Sequence, residues 1–183
     1  MIRNNKKIIK NKKGFTLIEL MISVSIIAMI STLYLTNYQG ANKQSQLSLA
    51  TQKLASDIRL AQNYSLGLLD YEGDIPDGGW GINLKKGNDY YTIFADSGDG
   101  FYAFDDVEEY RRVDLPNGVI IDSLVVGDIP DPESNLDIVF LPPDPITYIN
   151  AIDDTKVEIT LKNIENSVSK IEVNFFGLID VLD

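Results

Sequence analysis

An apolar run near the N-terminus constrains this chain more than any other feature. Residues 15–35 read FTLIELMISVSIIAMISTLYL, twenty-one residues that include one charged side chain, Glu19. A helix needs about 20 predominantly apolar residues to cross the hydrocarbon core of a bilayer. The run therefore predicts a membrane-spanning helix, and any soluble domain must be built from the residues that follow it.

The charges on the two sides of the run predict its orientation. Residues 1–14 contain six cations and no acid: Arg3, Lys6, Lys7, Lys10, Lys12 and Lys13. Because the net charge of the 183-residue chain is -11, the residues after this leader have a net charge of -17. Positively charged flanks stay on the cytoplasmic side of a membrane. We therefore expect a single-pass protein of the cytoplasmic (inner) membrane with its N-terminus inside and an acidic body outside.

A cleaved secretory signal peptide is the competing interpretation of this segment. Such peptides have an apolar core of about 7–15 residues, followed by small residues in an A-x-A-like pattern. Here the apolar run is longer, and its end, LYLTNY at residues 33–38, has no such pattern. The sequence therefore favours a helix that is retained in the mature protein.

Glu19 is the exception within the apolar run. A carboxylate inside a membrane span is costly unless it is paired or lies near the interface, so such residues are candidates for function. Two interpretations are open from the composition of the segment: Glu19 reaches the lipid headgroups, or it pairs with a partner elsewhere.

The residues around Glu19 resemble the class III signal of type IV prepilins and type II secretion pseudopilins. The string KKGFTLIELM, residues 12–21, joins a basic leader, Gly14 directly before Phe15, an apolar helix and Glu19 as the fifth residue after the glycine. The resemblance implies that a prepilin peptidase cuts between Gly14 and Phe15, and that the new amino group of Phe15 is methylated. It also implies that the subunit lies in membrane lipid before assembly. The inner-membrane assembly machinery then joins it to other pilin or pseudopilin subunits.

The resemblance also implies a partner for Glu19. Burying a lone carboxylate or a lone ammonium group costs several kcal/mol, and pairing the two offsets part of that cost. We expect Glu19 to pair with the Phe15 amine of an adjacent subunit and so to set the register between subunits in an extracytoplasmic filament.

Helical periodicity continues beyond the apolar run. Apolar side chains recur at three- and four-residue steps, and polar side chains occupy the opposite face. The apolar stripe consists of Leu47, Ala50, Leu54, Ile58, Ala61 and Leu68, with Ser65 on the same face. We expect one helix of about fifty residues. Residues 15–38 form its transmembrane or filament-core half, and residues 39–69 form an amphipathic half that packs on a domain.

Residues 70–183 predict a β-rich extracytoplasmic domain. Short β-branched and aromatic runs alternate with Gly, Pro, Asp and Asn, as expected of strands joined by turns. The predicted strands cover residues 80–84, 90–95, 101–104, 112–115, 119–126, 136–141, 147–151, 157–161 and 169–181, the last one bent at Gly177. The fold class is therefore α+β and, by the resemblance, pilin-like: a long N-terminal helix packed on a C-terminal antiparallel β-sheet domain.

Parts of this domain resemble the GspH/FimT-like group of minor pilins and pseudopilins. These parts are YTIFADSGDG at residues 91–100, RVDLPNGV at residues 112–119, and SKIEVN at residues 169–174 followed by Gly177. Unlike many major pilins, the chain has no proline before Pro76 and no cysteine. The resemblance implies a minor subunit of a type IV pilus or a type II secretion pseudopilus. The alternatives are a major pilus subunit acting in adhesion or DNA uptake, and a membrane-anchored extracytoplasmic enzyme.

The composition argues against the enzyme and against nucleic-acid binding. The chain has no histidine and no cysteine, which excludes His-based acid/base catalysis, the Ser-His-Asp triad and thiolate chemistry. We therefore predict that the protein is not an enzyme. A body with a net charge of -17 repels phosphates, whereas nonspecific nucleic-acid binding depends on Lys and Arg. No nucleic-acid partner is expected.

Asp96 and Asp99 are the candidate metal ligands. They lie in DSGDG, residues 96–100, which resembles part of a calcium loop but lacks the full EF-hand pattern. The alternative is a tight turn in which Gly98 and Gly100 adopt positive φ. No other cofactor is predicted. The nearby acids at residues 105, 106, 108 and 109 are interpreted as a solvated charge run.

Overall fold

The computed structural model describes residues 14–97, 102–127, 129–130, 134–142, 146–152 and 155–182. The chain divides into two compact units, Met1–Gly40 and Ala41–Asp183. One helix, α1 (Leu17–Leu66), contributes residues to both units. Apart from Gly14, the predicted leader lies outside the described residues.

The first unit contains the apolar part of α1. Over Leu17–Tyr34 the mean hydropathy is 2.0 and none of the segment is buried within the protein, so by length and composition it can cross a membrane. The hydroxyls in this segment bond back to the helix: Ser23 Oγ donates to the Glu19 carbonyl and Ser25 Oγ to the Met21 carbonyl, both at 2.8 Å. Such bonds satisfy the polar side chains where lipid offers no partner.

In the second unit α1 buries the stripe that the sequence predicted. Leu47, Leu54, Ile58 and Ala61 are fully buried, Ala50 is 2% exposed and Ser65 is also buried. Leu68 is the exception, because α1 ends at Leu66 and Leu68 itself has a left-handed backbone with φ of 51°. It is 48% exposed, so its place in the predicted stripe was wrong.

Ten strands lie in the described part of the second unit. They are β1 (Gly79–Lys85), β2 (Tyr90–Asp96), β3 (Glu109–Asp114), β4 (Val119–Val126), β5 (Ile129–Pro130), β6 (Asn135–Leu141), β7 (Ile146–Ile149), β8 (Lys156–Asn163), β9 (Val168–Asn174) and β10 (Ile179–Leu182). They form two five-stranded antiparallel sheets, in the orders β3-β2-β1-β6-β7 and β10-β9-β8-β4-β5. The predicted α+β architecture is confirmed, but the division into two sheets was not predicted.

The C-terminal segment forms a hairpin and not the single bent strand that we expected over residues 169–181. Asn174 Oδ1 accepts hydrogen bonds from the amides of Phe176 and Leu178, both at 3.0 Å. Gly177 completes the turn with φ of 72°, a conformation that glycine adopts without steric cost. The chain therefore reverses, and β9 pairs antiparallel with β10.

The strand predicted over residues 101–104 was also wrong in its described part. Tyr102 has φ of 47°, which does not fit a strand. Its ring instead stacks on Tyr148 with centroids 4.1 Å apart, and the Phe104 ring contacts Phe94 edge-on at 5.3 Å. The two rings therefore contact different strands, β7 and β2, and the aromatic run that resembled a strand in the sequence forms separate packing contacts.

Both sheets are joined to α1 by hydrogen bonds and share one apolar core with it. Ser65 Oγ donates to the Phe140 carbonyl on β6 of the first sheet. Arg59 Nη2 donates to the Ile179 carbonyl on β10 at 2.7 Å, and Gln62 Nε2 donates to the Gly177 carbonyl in the turn between β9 and β10 at 3.1 Å. The helix therefore ties the β9–β10 hairpin to the first sheet.

Candidate functional site

The beginning of α1 brings together the residues that the sequence singled out. Gly14, Phe15 and Thr16 precede the helix. Thr16 Oγ1 accepts a hydrogen bond from the Glu19 amide at 3.2 Å, and the Thr16 carbonyl accepts one from the Leu20 amide at 3.2 Å. Thr16 is therefore the N-cap and Glu19 the third helical residue, the spacing of a capping box.

The Gly14–Phe15 peptide bond lies in exposed, non-helical chain. Phe15 is 84% exposed, and a side chain at Gly14 would meet no atom within 4 Å. Peptidases act on chain that is exposed and free of secondary structure. The predicted cut would leave Thr16 and the helix it caps intact.

Glu19 occupies the turn where the helix dipole favours an acid. It is the one acidic residue in the first turn of α1, and a carboxylate near a helix N-terminus is stabilising by about 0.3–1 kcal/mol. Its side chain is exposed. Glu19 therefore stabilises the start of α1, in addition to the pairing between subunits that the sequence predicts.

A buried carboxylate in the second unit was missed by sequence reasoning. Asp57, on α1, is 1% exposed. The Tyr91 hydroxyl donates to Asp57 Oδ2 at 2.6 Å, Lys53 Nζ donates to Oδ1 at 2.6 Å, and Arg111 Nη2 lies 3.7 Å from Oδ1. These contacts join α1 to β2 and β3 and satisfy both carboxylate oxygens.

The Asp57 contacts hold Tyr91 neutral. Burial of the ring, with the hydrogen bond to Asp57, raises the pKa of Tyr91 far above its ordinary value. A phenol that keeps its proton acts as a fixed hydrogen-bond donor, so the arrangement positions the helix on the sheet. The signal was in the helical spacing, since Asp57 is three residues after Leu54 and four before Ala61.

The only tryptophan of the chain is a packing residue. Trp80 is 1% exposed, and its Nε1 donates to the Leu69 carbonyl at 3.1 Å. The rings of Tyr64, Tyr71 and Tyr110 contact it edge-on with centroids between 5.0 and 6.1 Å away. Burial, together with the neighbouring Tyr110, raises the pKa of Tyr64. This aromatic group closes the core where α1 ends.

The predicted calcium loop is described only in part. Asp96 ends β2 and is 1% exposed, and its carbonyl accepts the Gly78 amide at 3.1 Å. Asp99, Gly98 and Gly100 lie outside the described residues. Within the described ranges no group of three or more His, Cys, Asp or Glu side chains could hold a metal ion. Calcium binding by Asp96 and Asp99 therefore stays a prediction.

The acidic segment after this loop is not simply a solvated charge run. Glu108 lies in a short 3-10 helix, Asp106–Glu108, and is only 6% exposed. Its Oε1 accepts hydrogen bonds from the Ser97 amide at 2.7 Å and the Ser97 hydroxyl at 2.6 Å. The interpretation of Glu108 as a solvated residue is wrong. Its acidic neighbours in the sequence suggested exposure, whereas its hydrogen-bond partner, Ser97, lies eleven residues away.

Comparison with known proteins bears on the N-terminal segment. No curated protein and no solved structure shows significant similarity to the chain. Residues 9–35 match the family model described as the prokaryotic N-terminal methylation motif. This range includes the Gly14–Phe15 bond, the Thr16 cap, Glu19 and most of the apolar helix. The chain therefore carries the class III signal of a type IV pilin-like prepilin.

Proposed function

We propose that the chain is a prepilin that prepilin peptidase cuts between Gly14 and Phe15, that is methylated on the Phe15 amine, and that assembles as a subunit of an extracytoplasmic filament. The match of residues 9–35 to the methylation motif carries this proposal. The exposed Gly14–Phe15 bond directly before a capped helix supports it. The leader stays in the cytoplasm and the acidic body lies outside the inner membrane.

The proposed cut changes the electrostatics of the helix start. It creates a positive amino group at Phe15, one residue before the N-cap, where the helix dipole is also positive. Glu19, in the first turn, supplies the opposite charge. Within one subunit it weakens the repulsion between the amine and the dipole, and in the filament it pairs with the Phe15 amine of a neighbour.

The subunit is proposed to be a minor one of the GspH/FimT-like kind, serving a type IV pilus or a type II secretion pseudopilus. The support comes from the three body segments that resemble that group, and from the absence of proline in residues 15–40 and of cysteine anywhere in the chain. Its role is assembly without catalysis, and its partners are the peptidase, the inner-membrane machinery and other pilin-like subunits.

N-terminal mass analysis of the protein isolated from cells tests the processing step. We expect loss of residues 1–14 and a methylated Phe15 as the first residue. A Gly14→Leu variant should keep its leader, because the side chain changes the residue that directly precedes the scissile bond. An intact N-terminus in the unchanged chain, or a cut after the apolar run, would contradict the proposal.

The role of the Glu19 charge is tested by comparing two substitutions. Glu19→Gln keeps a side chain that a capping box accepts but removes the charge, whereas Glu19→Ala removes both. We expect both variants to lose their leader normally and both to fail to enter filaments. Normal incorporation of the Gln variant would show that the cap, and not the ion pair, is what assembly needs from this residue.

A further inference from the structure

A cavity of about 510 Å³ lies beside the end of β2. It is lined by the chain between α1 and β1 and by the segment from β2 to the 3-10 helix. Its apolar lining consists of Tyr71, Ile75, Pro76, Ala95 and Val107. Ile75 is 50% exposed and Val107 is 81% exposed. Exposed apolar side chains that adjoin one cavity indicate a binding surface, whereas scattered ones do not.

Local hydrogen bonds fix the walls of this cavity. Tyr71 and Asp74 close a tight turn, in which the Tyr71 amide donates to the Asp74 carbonyl at 2.8 Å and the Asp74 amide donates to the Tyr71 carbonyl at 3.2 Å. Val107 is held through its neighbour Glu108, whose Oε1 accepts hydrogen bonds from the amide and the hydroxyl of Ser97. Binding therefore requires little ordering of the chain, which lowers its entropic cost.

The charged lining of the cavity is acidic throughout the described residues and consists of Glu72, Asp74, Asp77 and Glu108. The first three are exposed, whereas Glu108 is engaged by Ser97. A neutral apolar ligand would displace water from the exposed carboxylates without replacing its hydrogen bonds, which is unfavourable. A lysine or arginine side chain fits both parts of the lining, because its aliphatic stem can cover the apolar walls while its charged end pairs with the exposed carboxylates.

The cations of the body itself do not fill this cavity. Ten cations follow residue 14, and in the described residues seven of them form ion pairs while Arg59 donates to the Ile179 carbonyl. The other two, Lys85 and Lys86, lie at the end of β1, whereas the cavity lies at its start, next to Asp77. The seven residues of β1 span about 20 Å, which is too far for a lysine side chain to bridge.

The charge of the body also argues against a second copy as the occupant. Two bodies with a net charge of -17 each repel one another at long range, whereas a basic segment is attracted. We infer that the cavity binds a lysine or arginine side chain within a basic segment of a different protein. The inference goes beyond the proposed function, because it assigns a partner chemistry to a surface of the body and does not depend on processing of the N-terminus.

Two synthetic peptides test this inference on the purified full-length chain in neutral detergent. One is the heptapeptide GALRLAG, acetylated and amidated so that arginine carries its only charge. The other has citrulline, which is neutral and similar in shape, in place of arginine. Fluorescence anisotropy of the peptides, labelled with a neutral dye, measures their binding. We expect the arginine peptide to bind more tightly, by about twofold to fivefold for each exposed carboxylate with which it pairs.

A matched pair of variants separates the cavity from the general attraction of an acidic body. Glu72→Gln/Asp74→Asn removes two carboxylates of the cavity, and Asp89→Asn/Asp180→Asn removes two exposed carboxylates elsewhere, so both raise the net charge by the same amount. We expect the first variant to lose affinity for the arginine peptide by the same factor per carboxylate and the second to keep it. Thermal unfolding of each variant checks that the fold is kept.

Val107→Ser tests the apolar wall without changing the charge, and it should weaken the binding of both peptides. An unchanged affinity of this variant would overturn the inference, as would equal affinities of the two peptides for the unchanged chain or equal losses in the two charge variants. Self-association of the unchanged chain that Glu72→Gln/Asp74→Asn abolishes, measured by sedimentation, would overturn it by making a second copy the occupant. None of these results alters the mass of the N-terminus, so the proposed function is tested separately.

Discussion

At the scale of single residues, the Asp57–Tyr91 hydrogen bond is the most informative polar contact in the second unit. Both residues are 1% exposed, and the bond length is 2.6 Å. Asp57 bonds Lys53 and Tyr91 with different oxygens, so removal of the phenol leaves one oxygen of a buried carboxylate without a protein partner. Loss of this hydrogen bond should therefore lower the free energy of unfolding by more than the net contribution of one hydrogen bond.

Replacing Tyr91 by Phe should destabilise the domain by about 1–3 kcal/mol, the cost of an unsatisfied buried acceptor. Urea unfolding of the detergent-solubilised full-length chain measures this difference. The matched control is the adjacent Tyr90→Phe, in which the ring beneath the Arg112 guanidinium is kept. We expect the control to change the free energy of unfolding by less than about 0.5 kcal/mol. Equal effects of the two substitutions would contradict the role given to Asp57.

The raised pKa of Tyr91 predicts a loss of stability at high pH. Burial, then the hydrogen bond and the charge of Asp57, raise the pKa of Tyr91 from its ordinary value of 10.0, against a smaller opposing effect of Arg111. Above pH 10 the unfolded chain releases this proton while the folded chain keeps it. The unfolded state then binds fewer protons, so the free energy of unfolding falls as pH rises, by up to about 1.4 kcal/mol per pH unit.

Comparison of variants isolates that contribution. Between about pH 9 and pH 11, Tyr91→Phe should lose stability less steeply than the unchanged chain, whereas Tyr90→Phe should follow the unchanged chain. Urea midpoints at a series of pH values provide the measurement. A Tyr91→Phe chain with the full alkaline loss would show that other groups cause it.

At the scale of elements, two glycines with the same φ separate conformational strain from steric overlap. Gly79, which begins β1, and Gly87, in the turn after β1, both have φ of 87°. A Cβ at Gly79 would overlap the Phe140 carbonyl oxygen on the paired strand β6, whereas a Cβ at Gly87 would meet nothing within 4 Å. The pair therefore forms a controlled comparison within one strand and its turn.

Gly87→Ala should cost about 1–2 kcal/mol, the penalty of a left-handed backbone for a residue with a Cβ. Gly79→Ala should cost more, because β1 and β6 must also move apart. Thermal unfolding of the two variants measures the difference. Similar losses of stability would mean that the Gly79 backbone relaxes without disturbing the ladder between β1 and β6.

The elements that could be predicted from the sequence are those with a local signal. The helical spacing from Leu47 to Ser65 predicted the buried face of α1, and alternation within β8 and β9 predicted those strands. Assignment of strands to sheets depends on pairs far apart in the chain, such as Val119 with Asn163 and Trp80 with Phe140. Because no local pattern records such pairings, the two sheets were not predicted.

The residues of the candidate site also divide into those with a local sequence signal and those without one. Gly14, Phe15 and Glu19 lie within six residues, so a local string was sufficient to find them. Asp57 was missed because the partner that makes a buried carboxylate tolerable, Tyr91, is 34 residues away on β2. Charge alone made Asp57 resemble the exposed face of an amphipathic helix.

At the scale of the whole molecule, the strongest physical property is the acidity of the body. A net charge of -17 after the leader favours solubility but destabilises the compact state by self-repulsion. Added salt screens that repulsion. The melting temperature of the full-length chain should therefore rise with the concentration of sodium chloride. A calcium salt also screens charge, so a test of calcium binding must separate this screening from specific binding.

Calcium and magnesium chloride at equal ionic strength make that separation. Screening depends on ionic strength and affects both samples equally, whereas a flexible site of carboxylate oxygens accepts calcium more readily than magnesium, which demands near-ideal octahedral geometry. If residues 96–100 form the tight turn, the two salts should raise the melting temperature by the same amount. A larger shift with calcium that is lost in Asp99→Asn, and kept in Asp122→Asn as a partly exposed carboxylate on β4 that pairs with Lys162, would instead assign a calcium site to this loop.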